Sequence, residues 1–243
     1  MNSRLTYDLE RNQARIKSYG SAFPITIQSD ELLRNLEEVI IFTENTTKRN
    51  IPNGSVWKYS THEYNPEILK DDVGCGITGF IIAEDMSDKK LACDIVRILE
   101  KNNIQLGRGN HFIDVTNKHP LVNVGSMIFV HSDFNPERIT PQTYAEAKTR
   151  EQEARDDRVK TGILLMKELG VNGDIYKDWT HNFVEEHENG LLYRKGAIDL
   201  QRTNGEGILA LNPFDGLLLY KAHEGSTNHN HHSMQHGTGK SND

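Results

Sequence analysis

The apolar positions of this chain fall into three helix-like stretches separated by short runs of strand character. In residues 29–41, Leu32, Leu33, Leu36, Val39 and Ile40 recur at the spacing that places them on one helix face, and Ser29 has the side chain of an N-cap. Residues 88–101 repeat the pattern after Ser87, with Leu91, Ile95, Ile98 and Leu99 aligned. The longest helix is predicted from Pro141 to about Leu169. Thr140 caps it, Pro141 suits a first turn whose N–H groups lack intrahelical acceptors, and Gly170 ends it. Its first half is heavily charged, which predicts a solvated stretch, while its second half carries Ile163, Leu164, Met166 and Leu169.

Strand patterns fill the intervals: residues 77–82, residues 127–130 running straight into His131, and residues 191–193, 208–211 and 217–220. Helices and strands do not alternate regularly. The expected fold class is therefore α+β, with mixed sheets flanked by helices, rather than a doubly wound parallel sheet. There is no internal repeat and no long linker, so residues 1–243 read as a single domain.

A chain of 243 residues can bury a sizeable core. Its longest apolar runs fall far short of the roughly 20 residues that span a bilayer. The N-terminal Met1-Asn2-Ser3-Arg4-Leu5-Thr6-Tyr7 has no apolar signal core, which sets the expectation of a cytoplasmic protein. A net charge of −7 argues against broad, non-specific nucleic-acid binding and leaves only a local basic groove around Arg194, Lys195, Arg202 and Lys240 for a polyanion. Two cysteines do not make a disulfide framework. Cys93, inside a helical pattern, reads as a small buried hydrophobe. Cys75 stands between Gly74 and Gly76, three residues after Asp72, in a loop.

That loop has chemical potential. A carboxylate and a thiolate on a glycine-rich turn can face one cation, and a thiolate can bridge two. His111, His131 and His181 would then complete two three-ligand positions sharing Cys75, with coordination sites left open for substrate oxygens. The plain alternative for each is a hydrogen-bonded histidine at a strand end. Cys and His ligands favour zinc, while Asp leaves room for manganese or iron. Asn110 and Asp114 flank His111; the amide can donate to phosphate, and the carboxylate can accept from a base, a ribose or a histidine. Gly107 and Gly109 allow close backbone approach to a phosphate. Residues 225–243 hold His229, His231, His232 and His236. They read either as a solvated tail or, at His236-Gly237-Thr238-Gly239-Lys240, as an accessible histidine able to attack phosphorus while Lys240 offsets charge.

Taken in order, these segments resemble the RtcB family of RNA-splicing ligases, which join RNA 3′-phosphate or 2′,3′-cyclic phosphate ends to 5′-hydroxyl ends using GTP and manganese. The family's D-[IV]-x-C-G is similar to Asp72 to Gly76, its G-x-G-N-H-F-[IL]-E to Gly107 to Asp114, and its H-N-[YIF]-[VA] to His181 to Val184. Its R-K-G-A is similar to Arg194 to Ala197 and its H-G-A-G-R to His236 to Lys240. The match spans about residues 60–240. The resemblance implies a single RtcB-like domain with a metal cleft and two manganese ions. Asp72, Cys75 and His111 would hold one ion; Cys75, His131 and His181 would hold the other. It places Asn110 and Asn182 at nucleotide phosphates, and Asp114, Gly237, Thr238, Gly239 and Lys240 around the nucleotide. His236 would attack the α-phosphate of GTP and carry GMP to the RNA 3′-phosphate, from which the 5′-hydroxyl displaces it. The tail thereby becomes a nucleophile loop, and manganese replaces zinc as the expected metal. The implied partner is RNA with 3′-phosphate and 5′-hydroxyl ends, and no membrane. The expected state is a monomer, with room for an activator or a second ligase chain.

The chain also departs from the family. Asp114 stands for Glu, Lys240 for Arg, and Pro213-Phe214-Asp215-Gly216 for Pro-Gly-Ser-Met-Gly. After His131 the family has Gly-Ser-Arg-Gly, and here stand Ser132-Asp133-Phe134-Asn135. The sequence ends seven residues after His236, before the family's guanine-recognising lysine. These differences keep two other expectations open. One is a metal-dependent phosphatase, cyclic phosphodiesterase or nucleotidyltransferase. The other is a non-catalytic RNA-end or protein-binding module, or one part of a split ligase.

Overall fold

The computed structural model describes residues 5–8, 15–18, 30–42, 47–48, 51–86, 88–106, 111–117, 125–211, 216–223, 225 and 228–237. In chain order the strands are β1 Leu5–Asp8, β2 Arg15–Ser18, β3 Leu36–Ile41, β4 Thr47–Lys48, β5 Ile51–Pro52, β6 Ser55–Tyr59, β7 Gly76–Ile82, β8 Phe112–Asn117, β9 Ser126–Ser132, β10 Gly173–Thr180, β11 Asn182–His187, β12 Gly190–Lys195, β13 Ala197–Asp199, β14 Glu206–Ala210, β15 Leu217–Lys221 and β16 Ser233–Gln235. The helices are α1 Asp30–Leu33, α2 Pro66–Leu69, α3 Asp88–Lys101 and α4 Tyr144–Leu169.

The architecture is α+β, as the irregular alternation of patterns predicts. Two sheets carry it. The larger runs β1-β2-β3-β6-β12-β11, and within it only β2 and β3 are parallel. The smaller runs β10-β7-β9-β8 and is antiparallel throughout. Alternation along its strands sends Phe80, Ile82, Ile128 and Val130 to one face, where α3 and α4 cover them with Leu91, Ile95, Leu165 and Met166. The opposite face presents Ile77, Phe129 and Trp179 to Ile198, Leu200, Ile208 and Leu219 from the C-terminal hairpins. The larger sheet has its own core of Val39, Ile41, Trp57, Val184 and Tyr193, packed on Leu69, Val73 and Ala147. Because α4 packs on β7, β9, β10 and β11, it links the two sheets.

Several sequence expectations need correction. The helix read over residues 29–41 stops at Leu33. Asn35 takes a left-handed turn with φ 59°, and the branched run Val39-Ile40-Ile41 extends as β3 against β6. Both helix and strand spacing fit those apolar positions, and pairing with Val56 and Trp57 decides for the strand. Ser29, read as a cap, lies outside the described residues, as does Ser87. The long helix begins three residues later than expected: Thr143 caps it, accepting the Glu146 N–H, and Gly170 closes it in the left-handed region as predicted. Its charged first half is not wholly solvated, since Ala147 and Ala154 are buried, and Arg158 just beyond them is buried too.

Gly162 in α4 marks a close helix–sheet approach. A Cβ there would stand 2.0 Å from the Phe80 ring. Gly162→Ala should therefore destabilise the chain by about 1–3 kcal/mol through overpacking, despite the better helix propensity of alanine. Urea denaturation measures this; an unchanged or higher stability would show that Phe80 repacks freely.

Candidate metal centre

The small sheet brings its chemistry to one end by register. Gly76 opens β7 opposite Ser132 and Thr180, the last residues of β9 and β10. One row inward, His131 lies opposite Ile77 and Phe112. Cys75 thus precedes β7, His111 precedes β8, and His181 follows β10, all at the end where His131 sits. Backbone bonds close the group: the His181 and Asn182 N–H groups donate to the Cys75 carbonyl at 3.0 and 3.2 Å, and the Gly74 N–H donates to the Asn182 carbonyl at 2.8 Å.

Arg158 of α4 holds this end from beneath. Its Nη1 donates to the carbonyls of Gly74 (2.6 Å) and Ser132 (2.8 Å). Its Nη2 donates to Asp178 Oδ2 and Thr180 Oγ1, both at 3.0 Å, and its Nε to Thr78 Oγ1 at 3.1 Å. The guanidinium is fully buried. Burial alone would raise the Asp178 carboxyl, but the Arg158 charge and the hydroxyls of Thr180 and Thr78 outweigh it and hold the group below the usual range. Gly76 is required here, because a Cβ would stand 2.7 Å from Arg158 Nη2.

Above that base, Cys75, His131 and His181 gather with their ligand atoms within 4.8 Å of one another, all buried. Cys75 Sγ lies 3.3 Å from His131 Nε2 and 3.6 Å from His111 Nε2. His181 Nδ1 donates to the Trp179 carbonyl at 3.2 Å, which assigns the lone pair to Nε2. Burial is the main reason that His131 and His181 are held well below the ordinary value of 6.5, with the neighbouring imidazoles adding to it. Neutral imidazoles around a thiol are a donor set that fits a borderline divalent cation.

The His236 ring stacks against His181 with centroids 3.9 Å apart. It is buried, and its Nδ1 donates to the Gly196 carbonyl at 2.9 Å, which directs the Nε2 lone pair away from that contact. Residues 228–237 are therefore no solvated tail: β16 pairs with β13, and Gly237 adopts φ 82° against Ala210, where a Cβ would meet the carbonyl at 2.0 Å. Asn182 acts one step behind. Its Oδ1 accepts the Gly196 N–H at 2.6 Å.

Other expected residues sit differently. Asp72 is near enough to influence His131 and Asp133, but its Oδ2 lies 3.4 Å from Lys195 Nζ, and it is not part of the Cys75–His131–His181 group. Asp114 is on β8 with Oδ1 accepting the Val115 N–H, and its Oδ2 faces the Gly216 turn. Asn110, Thr238, Gly239 and Lys240 lie outside the described residues, as do Gly107 and Gly109. The basic groove is not formed by its described members. Arg194 is buried with Glu185 and Asp199, Lys195 is paired with Asp72, and Arg202 binds Glu151 and Glu185 over the Phe183 ring. Cys93, read as buried, is exposed.

Two residues escaped the sequence reading. Asp133 is buried, with Oδ2 3.8 Å from His111 Nε2; burial raises its carboxyl, partly opposed by His111 and by the Asn135 N–H. Its signal was an acid two residues past His131. The signal for Arg158 was a cation on the inward stripe of α4 that also holds Ala147, Ala154, Thr161 and Leu165.

No protein-family model matches the chain, and no curated protein matches it in sequence. The site is thus read from its own geometry and from the motif resemblance.

Two measurements probe it. Arg158→Leu would leave Asp178 without its buried counter-charge and should cost about 3–5 kcal/mol. A loss under about 1 kcal/mol in urea denaturation would show that Thr78 and Thr180 suffice. The second concerns pH. His181 has a folded pKa below its unfolded value, so the unfolded metal-free chain takes up the proton first, and stability falls as pH drops below about 6.5. His181→Asn should flatten the stability–pH slope between pH 6.5 and 5.5 by up to about 1.4 kcal/mol per pH unit. Equal slopes would mean that the ring ionises in the folded chain.

Proposed function

We propose that the chain is a manganese- and GTP-dependent RNA ligase, joining 3′-phosphate or 2′,3′-cyclic phosphate ends to 5′-hydroxyl ends through a histidine–GMP intermediate. The observation that carries this reading is the His236 ring, oriented by Gly196 and stacked on a buried Cys/His/His group. Its Nδ1 is committed to the Gly196 carbonyl, so Nε2 is the nitrogen through which this fourth imidazole would act as a nucleophile.

Cys75, His131 and His181 would hold one ion; His111 and Cys75, with Asp72, would hold the other. The ions, when bound, would polarise phosphate oxygens and offset their charge. His236 Nε2 attacks the α-phosphorus of GTP, forming an N–P bond as the P–O bond to the β-phosphate breaks and pyrophosphate leaves. The proton stays on Nδ1, held by the Gly196 carbonyl. An oxygen of the RNA 3′-phosphate then attacks the GMP phosphorus as the N–P bond breaks, and the 5′-hydroxyl oxygen attacks the activated 3′-phosphate, losing its proton to solvent as the phosphodiester forms and GMP leaves. Asn182 keeps Gly196, and through it His236, in place.

A second reading, a metal-dependent phosphoesterase or another nucleotidyltransferase, is favoured by one observation. Arg194, Lys195 and Arg202 are consumed in ion pairs rather than presented to a polyanion.

Intact mass after incubation with GTP and manganese separates the two. The native chain should gain a GMP-sized adduct, and His236→Ala should gain none. No adduct on a metal-loaded native chain would discard the ligase reading for this chain acting alone and favour the hydrolase, a binding module or a ligase that needs a second chain.

A further inference from the structure

We propose that Asp133 is a metal ligand and completes, with Cys75 and His111, a position for a divalent cation beside the one formed by Cys75, His131 and His181. The inference rests on reading the cluster as a two-metal centre and adds a carboxylate that the motif resemblance does not supply.

Register places it there. Gly76, Ser132 and Thr180 form the last row of the small sheet, and the residues that follow are Cys75, Asp133 and His181. Asp133 therefore leaves the sheet alongside two ligand candidates, while His111 enters β8 next to them. The carboxylate is held in position. Its Oδ1 accepts the Asn135 N–H at 2.9 Å, and its own carbonyl accepts from Arg150 Nη2. Asn135 is pinned in turn, its Nδ2 donating to the carbonyls of Asp71 (2.7 Å) and Ile139 (3.0 Å).

Oδ2 is then left aimed at His111. Its 3.8 Å separation from Nε2 is too long for a hydrogen bond. It suits two atoms bound to one ion, since ligands at about 2.0–2.3 Å from a shared centre stand about 3–4 Å apart. The Cys75 Sγ to His111 Nε2 distance, 3.6 Å, falls in the same range.

The choice of nitrogen separates a ligand from an orienting group. A carboxylate that merely orients a metal-bound imidazole takes the proton of the nitrogen remote from the metal. In His111 that nitrogen is Nδ1, which is buried without a hydrogen-bond partner. Asp133 faces Nε2 instead, on the side of the thiol. Asp72, the acid that the proposed function gives to this position, is shared with Lys195 at 3.4 Å, and Asp133 would join it as a second carboxylate.

Calorimetric titration of the metal-free chain with Mn²⁺ alone tests this without reference to ligation. The native chain should show two sites. Asp133→Asn keeps an oxygen for the Asn135 N–H and should weaken one site at least tenfold while sparing the other. Asp133→Ser should do the same, because its hydroxyl can also accept that N–H. Asp71→Asn, in the same loop network but facing Arg138, should leave both sites unchanged. Two sites in the native chain with unaltered affinities in both Asp133 variants would overturn the proposal and leave the two-metal reading standing. Fewer than two sites in the native chain would overturn both. If the variants do not fold, the Mn²⁺-bound crystal structure of the unmodified chain decides. An ion within about 2.6 Å of Asp133 Oδ2 supports the assignment, and any larger distance overturns it.

Discussion

The buried pair of Arg158 and Asp178 is the constraint on which the rest of the site depends. One guanidinium, reached from a helix, takes the carbonyl before Cys75, the carbonyl after His131 and the hydroxyl before His181. Planar donors in a fixed fork set the spacing of three strand ends at once, which an ammonium on a flexible stem would not do. A buried ion pair is often no more stabilising than a well-packed apolar substitute. Its effect here is positional, because it fixes where three candidate ligands meet.

The same logic explains the local glycines. Gly76 has no side chain because Arg158 occupies the space a Cβ would need, and Gly74 takes φ 86° under Ala154. The Cys75 loop is thus shaped from the helix side as much as by its own turn. Charge is arranged inward in a comparable way. Arg194 with Glu185 and Asp199, and Lys195 with Asp72, put cations behind the centre, where they position carboxylates and strands, while the chain as a whole carries −7.

Local signals made part of this legible. Capping and a terminal glycine gave α4 to within three residues, and runs of Ile and Val gave β7 and β9. Cys75 and the histidines are each weak signals alone; their order along the chain and the glycines beside Cys75, His111 and His236 point to one site. Residues 36–41 were misread because their apolar spacing satisfies two periods, and only the partner strand discriminates. Non-local pairings were out of reach: Lys195 with Asp72, and Asp133 with His111, join residues far apart in the chain. Arg158 was hidden among the many charges of its own helix, although its place on the inward stripe was readable.

The placement of β16 has a consequence for how the centre comes into being. Cys75, His111, His131, His181 and His236 come from separate segments that meet through long-range sheet contacts and the Arg158 side chain. A polypeptide emerging from its N-terminus therefore delivers them in a set sequence. The thiol comes first, then His111 and His131, then the ring of His181 that completes the Cys/His/His group. The imidazole that stacks on His181 is the last part to be made, and it docks through a strand of three residues. Up to that point in synthesis, a nascent chain could already gather the Cys/His/His group while lacking the imidazole that stacks on it.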